Sequence, residues 1–303
     1  MKNVLISGGT GFIGKKLTKA LQQKGFSVFI LTRDKNKKYS FDEPFPKYIE
    51  FSEKNTDELL EKGSNSDAIV NLAGASIAGS KWTKDYKKLI LESRIKSTNL
   101  IVNAISKMKS PPKCLISASA VGYYGNRANE ILTEEAKPGS DFLANVCIEW
   151  EKAALEAEHL CRTVIPRIGV VLDKSEGALP QMLKPFKAGF SSVPGNGKQW
   201  VPWIHIGDLV NLFVWSIENE GIKGKVNCVS PNPVQMNQLT KSIGKILNKA
   251  VIGNVPEFAL KLMLGEQAAI VLGSTRAVPK VAIEKDFNFI YSDIEFALES
   301  ILK

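Results

Sequence analysis

The chain has 303 residues, 44% apolar and 23% charged, with a formal net charge of +9. At this length such a composition buries roughly three quarters of the unfolded surface, which excludes disorder, and about 150 residues per domain suggests two domains or one large domain with an appendage. Apolar stretches such as Ala68–Ala73 and Leu209–Ile217 are short or carry polar residues, so nothing approaches the ~20 residues that cross a bilayer.

The opening Met1-Lys2-Asn3-Val4-Leu5-Ile6-Ser7 has too short an apolar core for a signal peptide. Four cysteines, Cys114, Cys147, Cys161 and Cys228, stand far apart, accompanied by two histidines, His159 and His205. That spacing argues against a metal site or a disulfide framework and reads as buried thiols in a reducing compartment, so a soluble cytoplasmic protein is expected. Between Lys15 and Lys38 eight basic residues face one acid, Asp34. Interleaved with Leu17, Ala20 and Leu21, the first of them form the wet face of an amphipathic helix rather than a nucleic-acid footprint. Neither nucleic acid nor membrane is expected as a partner.

In chain order, Val4–Ser7, Ser27–Thr32, Tyr48–Phe51, Ala68–Ala73 and Cys114–Ser119 read as strands, and Gly14–Gln23, Asp57–Lys62 and Asp85–Met108 as helices, the last stopped by Pro111-Pro112. A helix over about Ser140–His159 and a strand over Arg162–Val171 follow. Strand and helix in alternation predict an α/β fold, a doubly wound parallel sheet of the Rossmann type. Beyond Leu172 the alternation loosens. Helices are expected at Asp208–Glu218, Met236–Leu247, Phe258–Leu272 and Asp293–Leu302, with a strand at Lys225–Ser230. The expected organisation is a nucleotide-binding core over residues 1–172, with returning segments from about 203–230, and a smaller C-terminal lobe over 173–303.

Gly8, Gly11 and Gly14 stand after an apolar strand and at the mouth of a helix. The first permits the tight turn, the second lets a pyrophosphate approach the backbone, and the third lets helix and sheet pack closely, while the helix N-terminus offers unpaired N–H donors. Thr10, Phe12 and Ile13 complete this loop as candidate cofactor contacts. The second strand ends in Thr32 and Arg33, where an NAD site would place a carboxylate for the adenosine ribose. A guanidinium there suits a 2′-phosphate, and Lys35, Lys37 and Lys38 add positive field, so NADP(H) is favoured over NAD(H). Asp34 is the dissenting residue: turned inward it would serve a ribose. Leu72, Ala73 and Gly74, closing the fourth strand, offer the small side chains that a flat adenine or ribose needs beside it.

Ser7–Gly14, Asn71–Gly74, Ser117–Gly125, Pro166–Gly169 and Trp203–Asp208 resemble the ordered motifs of extended short-chain dehydrogenases/reductases of the epimerase/dehydratase type. The tail over about 255–303, with Val255-Pro256, Leu264-Gly265-Glu266, Arg276-Ala277-Val278-Pro279 and Phe287-Asn288-Phe289, resembles the atypical branch called epimerase family proteins, family 39U. For that branch the resemblance implies NADP(H) binding and leaves substrate and reaction open. It also implies that Arg94 contacts a cofactor phosphate, the alternative being an exposed helix arginine. At the nicotinamide edge it implies Ser117, Pro166 and Arg167, where main-chain groups would hold a carboxamide and the Arg167 side chain would serve equally as a rim charge.

Active members of the wider superfamily use Ser or Thr with a Tyr and a Lys four residues apart on one helical face, so that the ammonium lowers the phenol's pKa. No Tyr-x-x-x-Lys occurs in this chain. Aligning Glu151 with the helix's usual acidic position puts Leu143 and Cys147, within one residue, where Tyr and Lys belong. Ser119 matches the Ser/Thr position, and Tyr123 or Tyr124, with Arg127 nearby, is the candidate substitute phenol. His205 reads as structural, Asp208 as a helix cap, and Trp200 and Trp203 as a cleft wall or a domain seam. Two functions survive: an NADP(H)-dependent oxidoreductase or epimerase-like enzyme for a small carbonyl or hydroxyl compound, and a non-catalytic NADP(H)-binding module that reports redox state to a protein partner. The sequence leaves the oligomeric state open.

Overall fold

A computed structural model describes residues 2–34, 39, 41, 45–52, 54–189 and 191–303. The core elements in chain order are β1 (Asn3–Ser7), α1 (Phe12–Gln23), β2 (Ser27–Thr32), β3 (Lys47–Glu50), α2 (Asp57–Gly63), β4 (Ala68–Asn71), α3 (Lys84–Lys107), β5 (Cys114–Ser117) and β6 (Ser119–Ala120). Then come β7 (Ile131–Leu132), α4 (Phe142–Leu155), β8 (Arg162–Ile168) and β9 (Val170–Leu172). The remainder comprises α5 (Leu179–Lys187), β10 (Val193–Pro194), β11 (Trp200–Val201), β12 (Trp203–His205), α6 (Ile206–Glu218), β13 (Gly224–Cys228), β14 (Val234–Gln235) and α7 (Met236–Ile246). The tail carries β15 (Asn254–Val255), α8 (Glu257–Leu264), α9 (Ala268–Leu272), β16 (Arg276–Ala277), α10 (Lys280–Glu284) and α11 (Ile294–Leu302).

The main sheet is parallel and runs β13-β8-β5-β4-β1-β2-β3, with β6 continuing β5 alongside β8. The period of two along each strand sorts side chains to two cores. Val4, Ile6, Val28 and Ile30 join Leu17, Leu21, Leu209 and Phe213 of α1 and α6. Leu5, Phe29 and Ile69 face Leu59, Ile101 and Ile105 of α2 and α3 on the other side. A further core, around Trp203, Leu239, Leu183 and Leu298, fills the part built by α5, α7 and α11. Strand order reverses between β1 and β4, opening the crevice in which ligands of such sheets lie. The fold is the α/β doubly wound one expected.

Side-chain caps set several helix starts: Thr83 accepts from Tyr86 N on α3, Asp141 from Ala144 N on α4 and Asp293 from Phe296 N on α11. Three expected elements are interrupted. The strand expected over Arg162–Val171 breaks at Gly169, whose N–H donates to Cys228 O at 3.0 Å, and the continuation β9 pairs with β12 instead of the sheet. The strand from Cys114 breaks at Ala118, and the helix expected over Phe258–Leu272 breaks at Gly265. Among the described residues no helix is long and apolar enough to cross a membrane.

Candidate functional site

The glycine loop turns from β1 into α1 under the carboxyl ends of β2 and β4. Gly8 has φ +77°, and a side chain there would meet the Leu72 carbonyl carbon at 2.8 Å and Ala73 N at 2.9 Å. A Cβ on Gly14 would strike the Gly8 carbonyl oxygen and stand 2.6 Å from Gly9 Cα. The loop therefore lies flush against Leu72 and Ala73, its turn held by Gly11 N donating to Gly8 O at 3.0 Å. Gly11 caps α1 without a side chain, and the first turn holds no acidic residue. This leaves the amides of Phe12 and Ile13, with Thr10 beside them, as an open donor set. Such a cradle fits a diphosphate.

At the tip of β2, Thr32 is buried, and its Oγ1 accepts from Asp34 N at 3.2 Å. Arg33 is exposed and makes no hydrogen bond or ion pair among the described residues. Lys35, Lys37 and Lys38 lie outside the described residues.

Across the crevice, Asn71 ties β4 to its neighbours: Nδ2 donates to Thr98 Oγ1 at 2.9 Å and to Ser117 Oγ at 3.4 Å, and Oδ1 accepts from Ser97 and Ala73 N. Gly74 is exposed, and a Cβ on it would sit 3.1 Å from the Arg94 guanidinium carbon. Arg94 Nη1 donates to Ala75 O at 3.0 Å and Ile90 O at 2.8 Å, and its guanidinium lies 5.0 Å from the Trp150 ring centroid. Burial lowers its pKa, opposed by Cys147 and Tyr86. Arg94 is thus drawn against the strand tip rather than freely exposed.

On α4, Leu143 and Cys147 lie one turn apart facing Gly122, where an added Cβ would stand 3.4 Å from Leu143 Cβ and 3.8 Å from Cys147 Sγ. Burial raises the Cys147 thiol pKa to about 11. The helix face opposite the Ser119 loop therefore carries an aliphatic chain and a protonated thiol.

Ser119, at the Ser/Thr position, and the two candidate phenols each have partners within the protein. Ser119 is buried, and its hydroxyl donates to Glu151 Oε1 at 2.6 Å, so its proton is committed to the core. Glu151 also receives two bonds from Arg167, each 2.8 Å. Arg167 itself is fully buried, which overturns its reading as a rim charge. Burial alone would lower its pKa, but the Glu151 and Tyr124 contacts raise it instead, so the guanidinium stays charged. Arg167 Nη1 donates to Tyr124 Oη at 3.0 Å and to Glu134 O at 3.1 Å, and Tyr124 Oη donates to Asn227 Oδ1 at 2.6 Å. Burial pushes the Tyr124 phenol up to about 12 despite Arg167, and no exposed surface remains on it. Tyr124 is a core tie and not a reachable acid.

Tyr123 points elsewhere. Its ring covers the Arg167 guanidinium at 3.5 Å and lines a groove of about 430 Å³ with Lys152, Leu155, His159 and Lys225, along the edge strand and the far half of α4. Arg127, expected to act on these phenols, pairs with Glu130.

His205 caps α6, its Nδ1 accepting from Gly207 N at 3.0 Å, and stacks on Tyr291 at 3.7 Å. Burial lowers its pKa to about 4. Asp208 caps nothing: it accepts from Ile290 N and Tyr291 N, binding the tail to α6. Trp203 is fully buried, its Nε1 donating to Asn232 O, so only the half-buried Trp200 remains as a wall.

Sequence reasoning missed Glu134 and Asn227, which complete the buried cluster: Glu134 Oε1 accepts from Asn227 N at 3.0 Å and Val281 N at 3.2 Å. The available signal was the strand period, which puts Arg167 on the same face as Ile165, beneath α4.

Residues 4–228 match the NAD dependent epimerase/dehydratase family. The chain belongs to that family. Residues 255–301 match a domain of unknown function, DUF1731. Among epimerase family proteins, YfhF of Bacillus subtilis is 39% identical over 302 residues, covering 99% of this chain and 98% of that one. The chloroplastic SDR39U1 homolog of Arabidopsis thaliana is 39% identical, covering 99% and 86%. The crystal structure of human epimerase family protein SDR39U1 with NADPH superimposes with a TM-score of 0.88 at 32% identity, covering 99% and 98%. The epimerase/dehydratase match spans the main sheet and its glycine loop, and the tail match begins at β15.

Proposed function

We propose that this epimerase/dehydratase family member binds NADP(H) and takes part in hydride exchange with a small carbonyl or hydroxyl compound, without a phenol of its own as acid. The observation that carries the cofactor choice is the tip of β2, the strand beside β1, where Arg33 is exposed and has no partner among the described residues. The relative crystallised with NADPH supports the same choice.

Gly8, Thr10, Gly11, Phe12, Ile13 and Gly14 take the diphosphate. Thr32 and Arg33 take the adenosine ribose and its 2′-phosphate, with Leu72, Ala73 and Gly74 beside the adenosine half. The main chain of Ser117, Pro166 and Arg167 meets the nicotinamide end. Arg94, held beneath Gly74 and near Cys147, puts its charge against the cofactor phosphates on the side where a helix-borne lysine is missing. When bound, the cofactor supplies the hydride. With Ser119 and Tyr124 tied into the core and Tyr123 in a separate groove, the proton comes from water.

Residues 1–172, with 203–230, serve the cofactor, and 173–303 serve the substrate. Four free thiols among the described residues suit a reducing compartment such as the cytoplasm. The closed acid corner also favours a second reading, a redox-reporting module with no turnover. Calorimetry with NADPH and NADH tests the cofactor choice, with NADPH expected to bind at least tenfold tighter. Stereospecifically deuterated NADPH incubated with an extract of small metabolites separates the two readings. Label in a product supports the enzyme, whereas tight binding with no transfer supports the module.

A further inference from the structure

The loops that follow β4 and β6 leave the carboxyl edge of the sheet, where α3 and α4 also begin and where ligands of such sheets lie. Main-chain carbonyls of the first loop are spent inside the protein. Ala75 O accepts from Arg94 Nη1 at 3.0 Å, Ser76 O from the Tyr86 hydroxyl at 2.6 Å, and Ile77 O from Trp82 Nε1 at 2.7 Å. The tail covers the same loop, Gln267 Nε2 donating to Ile77 O at 3.2 Å and to Ser80 O at 2.9 Å. In the second loop the tail does likewise: Gly125 O accepts from Thr275 Oγ1 at 2.9 Å, Ala128 O from Ser274 Oγ at 2.6 Å, and Asn126 Oδ1 from Ser274 N at 3.2 Å.

The start of α4 touches both loops, and it brings hydrocarbon to them. Leu143 is half-buried and faces Gly122 of the second loop, where an added Cβ would stand 3.4 Å from Leu143 Cβ. Phe142, also half-buried, meets Trp82 of the first loop edge to face, with ring centroids 5.2 Å apart and an interplanar angle of 69°. One turn further on, Cys147 faces the same Gly122 with its thiol protonated. Lys87, whose ammonium lies 5.6 Å from the Phe142 ring centroid, is neutralised by Glu266 at 2.8 Å.

A binding site selects by the few polar groups it leaves free among its apolar walls. A sugar placed against Leu143 would give up the water on its hydroxyls for carbonyls and hydroxyls whose hydrogen bonds are already made, and each unpaired hydroxyl costs affinity. An aromatic or branched aliphatic group loses no such bonds there and gains contact with Leu143 and the two rings.

We infer that the substrate is apolar beside its reacting carbon, and that Leu143, with Phe142 and Trp82, selects an aromatic or branched aliphatic skeleton against a hydroxyl-rich sugar. This rests on the reading of the crevice as a substrate site and names the class of compound it takes: an apolar aldehyde, ketone or alcohol.

Benzyl alcohol and methyl glucoside, titrated separately into NADPH-loaded protein, test it through the Leu143 methyl resonances, assigned by their loss in Leu143→Met. Neither alcohol is oxidised by the reduced cofactor, so binding alone is read. A saturable shift is expected with benzyl alcohol and none with methyl glucoside over the same concentrations. Saturation transfer from protein to benzyl alcohol reports affinity in the variants: Leu143→Asn should weaken it about fivefold or more, and Leu143→Met should weaken it less. No saturable shift with benzyl alcohol, methyl glucoside binding as tightly, or equal affinity in Leu143→Asn overturns the assignment. Should Leu143→Asn fail to fold, the wild-type resonances decide. If calorimetry shows that NADPH does not bind the wild type, the cofactor reading fails, and the same titrations on unloaded protein still decide what Leu143 selects.

Discussion

Two corners of the crevice carry family motifs of equal clarity and have opposite physical character. At the glycine loop, backbone lies against backbone, the helix start carries no side-chain cap, and Arg33 at the tip of the neighbouring strand is exposed. At the Ser119 corner Ser119, Glu151, Arg167, Tyr124 and Asn227 bond to one another, and Glu134 Oε2 is the atom of the cluster that lacks a partner among the described residues. One corner presents backbone donors and the other bonds its side chains to one another. Matching a motif locates a residue, but only its partners decide whether its proton or charge is available to a ligand.

The sharpest way to break this contrast is to cut the closed corner. Glu151→Ala should destabilise the fold by about 3–5 kcal/mol in urea unfolding, because it strands the buried Arg167 cation. Adding Arg167→Met should recover much of that loss. If Glu151→Ala unfolds like wild type, the network is not structural, and the Ser119 hydroxyl is again a candidate to hydrogen-bond a substrate oxygen. Next in size is Gly14→Ala. Its Cβ meets backbone atoms of Gly8 and Gly9 that cannot yield, so a loss of about 1–3 kcal/mol is expected together with at least tenfold weaker NADPH binding. A variant that keeps full affinity would show that the cradle is not held flush.

The glycine loop was legible because its function is written in the backbone: strand, turn and helix follow one another in sequence, and each glycine has a steric task. The parallel sheet was legible for the same reason, through local periodicity. The Ser119 corner was not, since its meaning depends on pairs separated by long stretches of chain, such as Tyr124 with Asn227 and Glu134 with Val281. Nor did the sequence distinguish Trp203, packed in a core, from Trp200, which carries Arg276. Asp208 sat at a helix start and read as a cap, yet the tail folds back to claim both its oxygens. Long-range partners overrode the local signal in each case.

A smaller effect sharpens the open corner. Arg33→Asp should weaken NADPH by about tenfold, the worth of one charge-assisted contact at an exposed site, and leave NADH nearly unchanged. Isothermal titration of both dinucleotides measures the ratio. Equal loss for the two would place the 2′-phosphate away from Arg33, among the cations beyond it.

The smallest effect tests a buried polar group outside both corners. His205 accepts from Gly207 N through Nδ1, and its pKa falls to about 4, chiefly through burial, with Asp173 raising it and Lys16 lowering it. In the unfolded chain an imidazole takes up a proton below about pH 6.5. Between about pH 6.5 and 4 the unfolded state therefore binds more protons, and stability falls as pH falls, with no contribution above that window. His205→Asn keeps an acceptor at the cap and does not titrate. The wild-type minus variant difference in unfolding free energy should be flat above pH 7 and decline by on the order of 1 kcal/mol toward pH 4, once solvent screening is allowed for. Asp208 and Glu134, raised by burial, act in the opposite sense but are common to both proteins and cancel. A difference that stays flat to pH 4 would mean that His205 holds its proton on the Tyr291 face. The imidazolium has no lone pair to offer, so α6 would then take its cap from another acceptor.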